Sequence, residues 1–101
     1  MLTREELIER VECGIAYLDK NDGEWAKEID VNKLDIESGR NCVIGQLDKK
    51  EFYYARRERK LSFTDIEMLG FHLGDYNERF KWNWTLTEIW KEKIKERQQC
   101  A

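Results

Sequence analysis

Proline is missing from this 101-residue chain altogether, histidine occurs once, and the three cysteines stand far apart with no CxxC pair. Without proline the strongest helix breaker is gone, which disfavours a loop-dominated, extended architecture. Cys13, Cys42 and Cys100 are odd in number and separated by 29 and 58 residues. A disulfide framework or a zinc knuckle needs closer pairs, so the cysteines read as reduced thiols. The six glycines are isolated; Gly39 and Gly45 make neither the dinucleotide fingerprint nor the P-loop pattern, so a phosphate-cradling loop is not indicated. No run approaches the roughly 18 apolar residues of a membrane span. The first residues, MLTREELIER, are charged by the fourth and carry no apolar signal core, so the expected location is the cytoplasm, without membrane attachment.

What is present is an amphipathic mixture, 41% hydrophobic and 39% charged, at a length that suits one domain spanning residues 1–101 around one core. Net charge is −3 and unevenly spread. Residues 1–38 carry 5 basic and 11 acidic side chains, residues 39–60 carry 7 and 3, and residues 61–101 carry 6 and 7. The whole-chain balance argues against a dominant attraction to nucleic acid, while the middle segment keeps a local basic patch open.

Helix signals recur along the chain. Thr3 and Glu6 have capping-box spacing, Leu2 and Leu7 stand where a hydrophobic staple would, and Leu7, Ile8, Val11, Ile15 and Leu18 follow at helical intervals. These predict a first helix over about 4–20, stopped at Asn21-Asp22-Gly23. Gly14 inside it implies a backbone or ring packed closely there. Trp25, Ile29, Leu34 and Ile36 anchor short turns, with Asp30 and Asp35 each placed to cap one. Ser38 or Asn41 can open the next helix, and a second capping spacing at Asp48 and Glu51 permits one helix over 42–60 or a break near 48. Thr64 with Glu67 signals a short helix ended by Gly70, and Thr85 with Glu88 a last one with the face Leu86, Ile89, Trp90 and Ile94. Phe80, Trp82 and Trp84 alternate with polar residues, the period of an extended segment. The expected fold is thus mainly α, a single-domain bundle of about four helices, with a short strand or hairpin near 71–84 allowed and a small α+β fold as the alternative.

Catalytic and metal chemistries lack their parts. A nucleophilic triad would have to be drawn from Cys42, His72 and Asp30 or Asp35, and each has an ordinary packing or capping role to fill. His72 reads better as a partly buried ring satisfied by a backbone carbonyl. The natural zinc donors Cys13, Cys42, Cys100 and His72 are scattered, and Asp30, Asp35 and Glu37 lack the alternating oxygens of a calcium loop. No enzyme activity, metal or cofactor is expected.

Binding is the remaining reading. On a helix Tyr53, Arg56, Arg57 and Lys60 share a face, with Tyr54 and Arg59 beside them, so guanidiniums could hold phosphate oxygens while a ring stacks on a base; a nucleic acid, an anionic small molecule or an acidic protein could each be the partner. A solvated helix end is the plainer alternative, since cations there also complement the macrodipole. Trp82, Trp84 and Trp90 are either core filling or docking anchors. A nucleotide pocket would place Arg56, Arg57 or Arg79 against Trp82 or Trp84. Oligomeric state is open, and Trp90 on an amphipathic last helix would serve a homodimer as well as a monomer core.

Gly14 with Leu18-Asp19, Trp25, Ile29-Asp30, Leu34-Asp35, the run CVIGQL at 42–47, Gly70-Phe71 and LTEIW at 86–90 give the chain a pattern that resembles a family of small, functionally uncharacterised proteins of phages and prophages. After CVIGQL, relatives carry an aromatic and Gly-rich stretch where this chain has DKKEFYYARRERK. The resemblance supplies no catalytic residues. It implies a phage accessory protein acting in a bacterial cytoplasm, which binds and inhibits a host factor of an antiviral defence system. Sequestering a nucleotide signal is the alternative, and nucleic-acid binding a further one.

Overall fold

The extended backbone of Thr3 lets its hydroxyl accept the Glu6 N–H at 3.2 Å, which opens helix α1, Arg4–Asn21, at the predicted place. Leu2 and Leu7 are both buried beside it. The computed structural model describes residues 2–74 and 79–99, the side chains of 79 and 80 excepted. Among them α1 is followed by a 3-10 turn (Trp25–Glu28), then α2 (Val43–Asp48), α3 (Phe52–Glu58), α4 (Phe63–Met68) and α5 (Arg79–Gln99), with no strand. The fold is mainly α, with five helices rather than about four. None of them is long and apolar enough to cross a membrane.

The most extensive helix contact is that of α1 with α5, and Gly14 and Trp90 explain how close it is. A Cβ on Gly14 would collide with the Leu69 carbonyl and lie 2.9 Å from the Trp90 ring. Trp90 is 0% exposed, stacks on Phe71 at 5.7 Å and meets Trp25 edge-on at 6.2 Å. Its indole N–H donates to the Gly70 carbonyl at 2.7 Å, so the one polar atom of the ring is satisfied inside the core. Gly70 ends α4 with a φ of +71°, and a Cβ there would press on the α1 backbone at Arg10 and Val11, 3.1 Å away.

The long connection between α1 and α2 is tied to α5 by polar latches. The buried Thr87 hydroxyl accepts the Ile36 N–H at 3.1 Å, and the Gln98 amide donates to the carbonyls of Ala26 and Ile29 at 3.0 Å each. Asp19 of α1 accepts both the Trp25 indole N–H at 2.9 Å and a two-bond grip from Arg97 at 2.7 and 2.8 Å. Asp30 and Asp35 cap their turns as expected, accepting from the amides of Asn32 and Glu37. Trp25, Ile29, Leu34 and Ile36 are all buried.

Several local expectations shift. Residues 42–60 are broken: Lys49 closes α2 in the left-handed conformation (φ 57°), and α3 restarts after the extended Glu51. Lys60, past the end of α3, is left-handed as well (φ 59°), so two lysines hold a conformation that costs a non-glycine residue about 1 kcal/mol. The capping box of α4 is Ser62 with Asp65, two residues ahead of Thr64 and Glu67, and the flanking Phe63 and Met68 are exposed. The alternating segment is helical, because α5 begins at Arg79 instead of Thr85. Trp82 lies four residues before Leu86 and packs against the core, extending the apolar stripe of Leu86, Ile89 and Trp90 by another turn. Of the strand or hairpin allowed near 71–84, residues 71–74 form no strand and 79–84 are helical, while 75–78 lie outside the described residues.

The Arg97 guanidinium holds the Asp19 carboxyl down to about 2 from an ordinary 3.8, with partial burial opposing and the Trp25 N–H assisting. A carboxylate that titrates lower when folded stabilises fully above the ordinary value and loses that contribution as pH falls toward 2. Both side chains remain 42% and 44% exposed, so water screens the pair and its neutral-pH worth is under about 1 kcal/mol. Asp19→Asn should therefore be less stable than the parent at pH 6, and urea midpoints of the two should converge between pH 4 and pH 2.

Candidate functional site

Helices α3 and α4 carry the most exposed aromatic surface in the described residues. Tyr53, Tyr54 and Phe63 are each more than half exposed, although residues of this size usually fill cores. They are ordered around one cation. The Arg56 guanidinium lies 4.4 Å from the Phe63 ring centroid and 5.5 Å from that of Tyr53, and Tyr54 meets Tyr53 edge-on at 5.8 Å. Arg56 Nη1 donates to the Leu61 carbonyl at 2.7 Å, which fixes the side chain across the turn between the two helices. Its Nε is buried with no hydrogen-bond partner among the described residues, and the side chain as a whole is half-buried. Arg57 stands 5.7 Å from the same Tyr53 ring.

Charge pairing sharpens this face. All three acids of segment 39–60 are engaged inside it: Asp48 with Arg59, Glu51 with Arg40, and Glu58 with Lys50. Lys49, Arg56, Arg57 and Lys60 are left without an ion-pair partner among the described residues, so the segment's positive balance is carried by these four.

Two residues expected at the surface are structural. Arg59, only 12% exposed, donates through Nε and Nη2 to Asp48 at 2.8 and 2.7 Å, through Nη1 and Nη2 to Asp22 at 2.8 and 2.6 Å, and through Nη1 to the Tyr17 hydroxyl at 3.3 Å. All five guanidinium N–H groups are consumed, and no donor is left for a phosphate. Asp22 first and Asp48 next raise its pKa further. Trp90 is core, for the reasons given above, and presents nothing to a partner or a second copy. Trp82 is half-buried with Lys81 over its ring at 5.4 Å, while Trp84 is 72% exposed on α5. The side chain of Arg79 lies outside the described residues. Tyr53, Arg56 and Arg57 are thus brought together as the sequence implied. Phe63 was missed, because its pairing with Arg56 crosses a helix break that periodicity does not reveal.

The catalytic reading finds no support in the thiol. Cys42 is buried, donates its S–H to the Gly39 carbonyl at 3.6 Å, and is pushed up to about 11 by burial, which keeps it protonated. His72 is satisfied in the opposite sense to that expected: its Nδ1 accepts the Gly74 N–H at 2.8 Å, and its ring lies against Phe52 at 5.5 Å. The described residues contain no group of three or more acidic, cysteine or histidine side chains arranged to hold a metal ion.

Arg59→Lys keeps the charge but cannot reach two carboxylates and a hydroxyl at once, so it should cost roughly 3 kcal/mol in a urea denaturation, nearly as much as Arg59→Ala. In the folded chain at pH 8, iodoacetamide should label the exposed Cys13 and spare Cys42, which becomes reactive only in denaturant; mass spectrometry of the peptides reads both. No protein-family model, no curated protein and no solved structure matches the chain.

Proposed function

We propose that the domain works by protein–protein contact, docking its α3–α4 face onto an acidic surface of a host factor, and that it serves as a phage-type accessory protein inhibiting part of an antiviral defence system. The observation that carries the contact surface is the Arg56 guanidinium held between Tyr53 and Phe63, with Tyr54 edge-on to Tyr53 and Arg57 near the same ring; Lys60, past the end of α3, does not continue that helical face. Tyrosine and arginine are the residue types that dominate interface energetics, and a side chain already fixed by Leu61 and two rings loses little freedom on binding. The excess of unpaired cations favours an acidic partner. The host setting rests on the sequence resemblance to phage and prophage proteins.

Sequestration of a nucleotide signal is the second reading. Nucleic-acid binding through residues 53–60 is weakened, since Arg59 has no donor to give it. Tagged protein incubated with nuclease-treated bacterial lysate should capture a specific protein. Tyr53→Ala, Arg56→Ala and Phe63→Ala, with unchanged helical circular dichroism, should each reduce that capture at least tenfold, a hot-spot loss of about 1.4 kcal/mol or more. Capture of nothing specific, or an identical set with all three variants, sinks the proposal.

A further inference from the structure

A second surface of different chemistry lies where the turn at residues 30–33 faces α2. Here the chain forms an open pocket of about 270 Å³, lined by Lys33, Arg40 and Lys49 against a single acid, Asp30. We infer that this pocket is a binding site for a small phosphorylated molecule, on the scale of a nucleoside monophosphate or a sugar phosphate.

The cations have capacity to spare. Lys33 and Lys49 have no carboxylate partner among the described residues. Arg40 gives only its Nε to Glu51, at 3.2 Å, so both terminal nitrogens remain for the two-pronged grip that guanidinium makes on phosphate. The opposing acid is partly occupied: one carboxylate oxygen of Asp30 accepts the Asn32 N–H at 2.9 Å. Three cations facing one acid leave a local excess that a phosphate dianion would relieve.

The pocket is also preformed. Gln46 crosses its floor, accepting the Asp30 N–H at 2.8 Å and donating to the Asp30 and Asn41 carbonyls at 3.2 and 3.0 Å. That clip fixes the 30–33 turn and the 39–41 loop at a set spacing on α2, so the backbone that carries the three exposed cations is already in place when a ligand arrives. The volume lies just below the usual range of small-molecule sites, which suits a phosphate with part of a compact sugar or nucleoside seated and the rest projecting through the open mouth. Lys49, at the C-terminus of α2, holds the left-handed conformation, so its place at the rim follows from how that helix ends.

Isothermal titration of the full chain at low ionic strength, with inorganic pyrophosphate and with AMP as probes, tests the site. One saturable site is expected, weakening with added salt. Lys33→Gln and Lys49→Gly should each loosen it by about tenfold; the glycine relaxes the backbone at 49, so loss of binding there is not loss of fold. Arg57→Gln, on the α3–α4 face, should leave it unchanged. Tighter binding of AMP than of pyrophosphate assigns the site to a phosphate ester, and the reverse assigns it to free phosphates. Absence of saturation by either probe up to roughly 10 mM, or equal loss in Arg57→Gln and the two lysine variants, overturns the inference.

Discussion

A tryptophan at the centre of a core this small must be dry on both faces of its ring and still satisfy its N–H, and the arrangement of the whole chain follows from how Trp90 meets that demand. Its ring needs a flat, side-chain-free stretch of α1, which Gly14 supplies. Its N–H needs an acceptor inside the core, which the Gly70 carbonyl supplies at the end of α4. The same glycine brings that end against α1, so one residue of α5 fixes the mutual positions of three helices. Burying a tryptophan in this way is worth several kcal/mol, a large share of the net stability of a domain this size.

Around that apolar centre the polar groups act as latches rather than as a second core. Arg59 joins the C-terminal turns of α1 and α2 to the end of α3, and Asp19 joins α1 to the 3-10 turn and to the last turn of α5. Both begin on the last turn of α1 and its cap, which makes that turn the junction between the α1–α5 pair and the shorter helices. The division of labour among the arginines follows. Arg59 is spent on carboxylates, and Arg56, three residues earlier and half-buried, is held by two rings and the Leu61 carbonyl and pairs with no acid among the described residues.

The parts of this structure that were legible in the sequence are those set by local chemistry. The Thr3 cap, the turns at Asp30 and Asp35, the stop at Gly70 and the tight approach at Gly14 each follow from what one residue type does to its own backbone or to a neighbour. The alternation of Phe80, Trp82 and Trp84 misled because five residues are too few to separate a period of two from one of 3.6. The helix wins there since Trp82 extends an apolar stripe that continues to Trp90. The aromatic and basic character of residues 53–60 was visible, but which of its arginines faces inward was not. That choice depends on Asp22 and Asp48, 37 and 11 residues distant from Arg59 in the chain, and no periodicity reports such a partner. The pocket beside α2 is hidden for the same reason: Lys33, Arg40 and Lys49 line one pocket because Gln46 ties the Asp30 turn and the Asn41 loop to α2.

Two helices end on a left-handed lysine, at 49 and at 60, where glycine would sit without strain. One stands at the rim of the pocket beside α2 and the other beside the α3–α4 face. At each place the chain keeps a cation in a conformation it holds at a cost, so the domain is less stable than its own topology allows. A trade of stability against surface charge is written into the backbone, and a version of this fold optimised for stability alone would lose positive charge at both places where it has reason to keep it.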